Sequence, residues 1–158
     1  MTAREFFAKY IGKYIDYDKA LGYQCMDLYH KYVEEVLPGF PHPGQPYAAK
    51  LWDNYDPKYY DRINNGPLDV PQEGDILIWT NGNGHVAIYI SGNVMNFISF
   101  DQNFPTGSPC HNQSHNYFGG LRGWLRPKNK MIAAGLIRSI VDGPGSDGDK
   151  LIAIRKLL

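Results

Sequence analysis

Residues 74–101 read GDILIWTNGNGHVAIYISGNVMNFISFD, and this stretch decides the fold. Apolar runs at Asp75–Thr80, His85–Ile90 and Val94–Phe100 are separated only by NGNG and SGN. Asn-Gly steps accept the positive φ of tight hairpin turns, so the pattern predicts consecutive antiparallel strands. LRGWL, Leu121–Leu125, predicts a further strand after a long loop at 102–120.

On the amino-terminal side the period changes. Thr2 and Glu5 have capping-box spacing. Phe6, Phe7, Tyr10, Ile11, Tyr14 and Ile15 recur at three- and four-residue steps, which predicts a helix over 3–15. An acidic turn, Asp16 to Tyr23, precedes a second helix from about Gln24 through Val36, stopped by Pro38-Gly39. Residues 38–46 read as a Pro/Gly loop, Tyr47–Trp52 as a short helix, and 53–74 as irregular and aromatic. Helices followed by a run of strands predict an α+β fold with the helices packed on an antiparallel sheet. Residues 128–158 are set apart as an extension. In it Met131–Val141 is apolar enough to pack, DGPGSDGD at 142–149 reads as a linker, and LIAIRKLL follows. We expect a further part beyond it.

Composition bounds the rest. At 158 residues, 43% apolar and 14% aromatic, the chain supports one domain with a real core and is not disordered. Lys plus Arg and Asp plus Glu both number 16. With no basic stripe to track phosphates, nucleic acid is excluded as a partner. No stretch approaches the roughly 18 apolar residues of a membrane span. No basic-then-apolar leader opens the chain, so synthesis in a cytosol is expected.

The chemistry-bearing residues start with Cys25 in YQCMDLYHKY. It falls at the start of a helix, where free N–H groups stabilise negative charge and favour a thiolate nucleophile. Taken alone it reads equally as a small buried hydrophobe. His85 follows a glycine turn and opens a strand, which places its imidazole at the sheet rim. If the 85–90 and 94–100 strands pair through SGN, Asp101 and Asn103 become its neighbours. That supplies a base and a group to orient it.

QCMDL at 24–28, GDILIW with GHVAIY, and DQN at 101–103 resemble the CHAP domain, the cysteine/histidine-dependent amidohydrolase/peptidase of peptidoglycan hydrolases. The likeness covers roughly residues 1–127, with its motifs in the family's order. It implies a papain-like α+β fold, Cys25 as nucleophile and His85 as general base. The family's third residue, often Glu, falls on Asp101, and its Asn on Asn103; either could hold the imidazole. Gln24, with the Cys25 main-chain N–H, is implied as an oxyanion donor.

Asp16, Asp18, Ala20, Gly22 and Asp27 occupy positions 1, 3, 5, 7 and 12 of an EF-hand-like spacing. Ala20 can give only its carbonyl, Leu21 stands where the sharp-turn glycine belongs, and Asp27 replaces Glu. By spacing alone this equally reads as a solvated acidic turn. Resemblance to staphylococcal-type phage lysins, which carry a calcium loop before the cysteine, implies one structural Ca²⁺. Such an ion would pin the turn that presents Cys25. Other residues are read plainly: His30, His42, His111 and His115 as surface, packing or loop residues, Cys110 as a free thiol, Trp79 and Trp124 as core. Asn116–Gly120 is expected beside a substrate groove.

The expected function is peptidoglycan hydrolysis by the catalytic part of a bacteriophage endolysin. Cleavage of a peptide bond or of the N-acetylmuramoyl–L-alanine amide are both open. Bacterial peptidoglycan is the expected partner, a monomer the expected state of this stretch of chain, and the part expected beyond residues 128–158 is a wall-binding one. The host cytoplasm, then the cell wall after holin-mediated release, is the expected location. The rivals are a papain-like thiol peptidase or amidase on other substrates and a non-catalytic calcium-dependent wall-binding module.

Overall fold

Thr2 and Glu5 close a reciprocal capping box: Glu5 N donates to Thr2 Oγ1 at 3.3 Å and Thr2 N donates to Glu5 Oε2 at 2.6 Å. They open helix α1 (Ala3–Tyr10), which ends before the predicted Ile15. Gly12 turns to φ 74° and donates its N–H to Cys110 O at 2.7 Å, while Cys110 N donates to Lys13 O at 2.8 Å. Backbone pairing with a distant loop thus replaces the next helical turn. Helix α2 (Cys25–Val36) stands where the periodicity puts it, and a single 3₁₀ turn (Ala48–Leu51) follows. The computed structural model describes residues 1–42, 46–128 and 137–155. Part of the Pro/Gly loop (43–45), of the apolar run (131–136) and of the terminal segment (156–158) lies outside them.

Among the described residues six strands form one antiparallel sheet: β1 (Tyr60–Asn64), β2 (Ile76–Trp79), β3 (His85–Gly92), β4 (Asn96–Asp101), β5 (His111–Asn116) and β6 (Leu121–Pro127). Their order is β1-β6-β2-β3-β4-β5. The hairpin across NGNG is present, with Trp79 opposite His85. The second is present too, with Ile88 opposite Phe100, but its turn lies later than SGN, at 93–95, because Ser91 and Gly92 still pair with Ile98 and Phe97 and the strand expected from Val94 begins at Asn96. Two strands were not predicted, and both lie at the sheet's edges. β1 is YDRIN, and β5 is HNQSHN. Neither carries the apolar alternation by which a strand is recognised, because an edge strand buries less of each face.

ILIW (76–79) is apolar throughout because both faces of β2 are covered. Ile76 and Ile78 join Phe6, Leu28, Tyr32 and Val33 in the core beneath the helices. Leu77 and Trp79 face the other way, into a second cluster with Ala87, Phe97 and Trp124. The site residues inherit this alternation. Ser99 and Asp101 share the face of Phe97, opposite the helix layer, by the two-residue period of β4.

Gly84, the residue before His85, is fixed by geometry. Its φ is 78°, and a Cβ there would lie 2.4 Å from both Ala49 N and Trp79 O. Both are main-chain atoms and cannot swing aside. Gly84→Ala is therefore expected to destabilise the protein by about 3 kcal/mol in urea titration, from strain plus overpacking.

In the carboxy-terminal extension, residues 137–142 are helical and helix α3 spans Asp147–Arg155. The segment read as a linker thus turns helical at Asp147. Ser146 explains it: Asp149 N donates to Ser146 Oγ at 3.3 Å, and Ser146 Oγ donates to Asp149 Oδ2 at 2.6 Å. This N-cap is hidden in a sequence whose composition says linker.

Candidate active site

Cys25 is the first residue of α2 and Gln24 its extended N-cap (φ −98°, ψ 161°). The main-chain N–H of Cys25 therefore lies outside the helical ladder and is free to meet a ligand. Buried Asp27 accepts Gln24 N at 2.7 Å, which fixes the entry to the helix. Gln102, fully buried, supports the same turn. Its Nε2 donates to Gln24 O and Ile15 O, both at 2.8 Å, and its Oε1 accepts Ile15 N at 2.7 Å. The sequence offered Gln102 only as the middle of DQN. Its place just past a predicted strand end was the available signal.

His85 opens β3. Its Nε2 meets Asp101 Oδ1 at 2.5 Å, which leaves Nδ1 as the other ring nitrogen, and Cys25 lines the same cavity as this imidazole, near enough for its thiol to act on the ring's charge. Burial works against charge on this ring, but the hydrogen bonds to Asp101 and Cys25 prevail and raise its pKa to about 9. Asp101 is fully buried. Burial would raise its carboxyl, yet hydrogen bonds from His115, His85 and Ser99 hold it below the usual carboxylate range. Of the two residues that could orient His85, only Asp101 makes the contact. Asn103, at φ 63°, instead donates from Nδ2 to Gln24 Oε1 at 3.2 Å and accepts Gly107 N at 2.7 Å. Gln24 Nε2 donates to Leu21 O at 2.8 Å, so one of its N–H bonds is engaged within the turn.

Cys25, His85, Trp79, Phe104 and His115 line a cavity of about 530 Å³. A second of about 430 Å³ shares Gln24, Cys25 and Gly84 with it and extends to Asp18, Leu21 and Tyr47. Cys25 thus stands where two hollows meet, a placement suited to a chain crossing the sulfur. Asn116 and Gly119 border the first hollow, as expected of that loop. Trp124 is core, but Trp79, read as core, also lines the cavity. His115, read as an ordinary polar residue, is at the site as well. Its strand was not predicted, and so nothing in the sequence brought it there. His111 bonds locally to Pro109 O and Gln113. Cys110 is fully buried and burial pushes its thiol up to about 12, which leaves Cys25 the reactive candidate.

In the acidic turn, carboxylate oxygens of Asp16, Asp18 and Asp27 all lie within 4.8 Å of one another. Among the described residues no Lys or Arg pairs with them. Asp16 Oδ1 is buried without a hydrogen-bond partner. Burial pushes the Asp27 carboxyl up, and nearby Asp18 adds repulsion, against three main-chain N–H bonds that pull it down. An orphaned oxygen among close carboxylates fits a hard divalent cation. Ala20 and Gly22, in the same turn, can add only main-chain oxygens.

A sequence model of the CHAP domain family matches residues 14–103, from the acidic turn through His85 to Asn103. The chain belongs to the CHAP family. It is 34% identical to endolysin PlyTW of Staphylococcus phage Twort, over 46% of this chain and 16% of that protein. The crystal structure of wild-type endolysin LysIME-EF1 is similar at TM-score 0.68 and 28% identity, covering 80% of this chain and 64% of that one. The chain therefore spans only part of either relative. Among the described residues, no helix is long and apolar enough to cross a membrane.

Proposed function

We propose that this CHAP domain is the catalytic part of a phage endolysin and hydrolyses an amide bond in the peptide of bacterial peptidoglycan. The observation that carries the reading is one imidazole anchored on a buried carboxylate and sharing a cavity with a helix-start thiol. In this mechanism Cys25 Sγ attacks the carbonyl carbon, and the Cys25 main-chain N–H helps to hold the developing oxyanion. His85, charged by the thiol proton, delivers that proton to the leaving amine and then takes one from the water that releases the acyl group. Asp101 keeps the ring oriented and supports its charge. Asn103 acts one step back by holding Gln24. The endolysin relatives support the wall as substrate. Digestion of purified walls followed by mass spectrometry of the fragments tests the reading. A new amine terminus at a residue inside the stem or cross-bridge identifies an endopeptidase, whereas a freed L-Ala amine together with lactyl-bearing glycan stripped of peptide identifies an amidase. Intact walls together with cleaved casein would overturn it.

We further infer one structural Ca²⁺, held by Asp16, Asp18 and Asp27 with main-chain oxygens of Ala20 and Gly22. It would neutralise the carboxylates that fix the Cys25 turn and take no part in bond cleavage. EDTA is expected to lower the melting temperature by about 5–10 °C and to reduce lysis, both restored by Ca²⁺. An unchanged melt in chelator removes the ion from the account.

A further inference from the structure

Asp101 is held from more sides than one imidazole requires. Its Oδ1 meets His85 Nε2 at 2.5 Å. Its Oδ2 accepts the Ser99 hydroxyl and lies 3.3 Å from His115 Nε2. The three partners come from β3, β4 and β5. The His115 ring is itself fixed by packing, stacked on Phe97 at 5.3 Å and 23° and flanked by Trp79 at 5.1 Å and Phe104 at 5.4 Å. Phe104 also covers His85, at 5.1 Å. A buried carboxylate with one anchored oxygen can still pivot about its Cβ–Cγ bond. Donors on the second oxygen remove that freedom.

We propose that His115 is a positioning residue of the Cys25–His85 centre: it donates its Nε2–H to Asp101 Oδ2 and so aims Oδ1 at His85. This deepens the hydrolase reading and rests on it for its catalytic consequence. It gives β5, the polar edge strand, a reason to carry a histidine opposite Phe97 in the ladder.

The test uses the chain as it stands, with Ca²⁺ at neutral pH. Long-range ¹⁵N–¹H spectra of the imidazoles report which nitrogen of His115 carries a proton. Nε2–H is expected, and a bare Nε2 overturns the proposal, since that atom could not donate. His115→Phe keeps a ring against Phe97 but has no donor, whereas His115→Gln keeps a donor. His115→Phe is expected to lower kcat on a soluble wall fragment about tenfold with KM held, and to move the His85 Nε2–H resonance. His115→Gln is expected to recover most of both. Wild-type kcat and an unmoved His85 signal in His115→Phe overturn the proposal, as does a His115→Gln protein no better than His115→Ala. Should the Phe variant not fold, the Gln and Ala variants carry the same contrast. The ring spectra need no substrate, so they judge the hydrogen bond even if wall cleavage is never seen.

Discussion

Cys25→Ala is expected to abolish wall lysis, with a loss of at least about 10³-fold in clearing rate, while the melting temperature is expected to stay close to that of the parent. The magnitude follows from the role. Without the sulfur no acyl-enzyme forms, and His85 is left beside a methyl group. What remains is binding and whatever the Cys25 main-chain N–H contributes, which in thiol and serine hydrolases leaves about 10³–10⁴-fold over water. The small stability effect follows from position. Cys25 is half-buried at the first helical position, its contact is with an imidazole, and alanine is the best helix former. Two measurements are needed together, turbidity clearing of walls and thermal unfolding. Lysis retained by Cys25→Ala would overturn the thiol mechanism and favour a wall-binding module. Lysis lost together with folding would be settled by Cys25→Ser, which keeps the volume but is a far poorer nucleophile. Cys110 provides the control. It is buried among apolar residues with its thiol held protonated, so alkylating reagents are expected to label Cys25 and spare Cys110 in the folded protein.

The sheet's centre and the nucleophile's helix were legible because burial writes itself into composition. ILIW, buried on both faces, is continuously apolar, and NGNG and SGN admit few structures other than hairpins. The same hairpins carried His85 to Asp101, so that pair was readable from turns alone. What stayed hidden had a common cause. β1 and β5 form through main-chain pairing at the edges, which needs no apolar pattern, and His115 travelled with β5. Gln102 acts through its amide on main-chain atoms of residues 15 and 24, contacts that exist only once the sheet and α2 are in place. Helix α1 is shorter than its periodicity because Gly12 and Lys13 pair with the loop at Cys110. Choosing between Asp101 and Asn103 likewise required tertiary geometry, since both follow the same strand within three positions.

Asp101→Asn should separate orientation from mere proximity. The amide is nearly isosteric, so the cavity keeps its shape, but the charge facing His85 is gone, and an amide N–H turned toward the ring would select the wrong tautomer. A fall in kcat/KM of about 10²–10⁴ is expected, with little change in KM. The pH profile gives a second reading. On the proposed mechanism, the His85 proton that goes to the leaving amine is expected to be lost near pH 9, which would set the alkaline limb of activity. Removing the carboxylate takes away a leading support of that raised value while burial still opposes the charge, so the limb moves toward lower pH. Stability follows with a definite sign. His85 has a folded-state pKa above its unfolded value, so its contribution is present below the unfolded value and lost as pH rises through about 9. Asp101 has a depressed value, so its contribution is present above the ordinary carboxylate range and lost on acidification below it. The variant should therefore trail the parent most in urea titrations near pH 6 and approach it near pH 10. Equal deficits at both pH values, with an unmoved alkaline limb, would mean that Asp101 serves packing alone and that the imidazole draws its charge from the thiol without it.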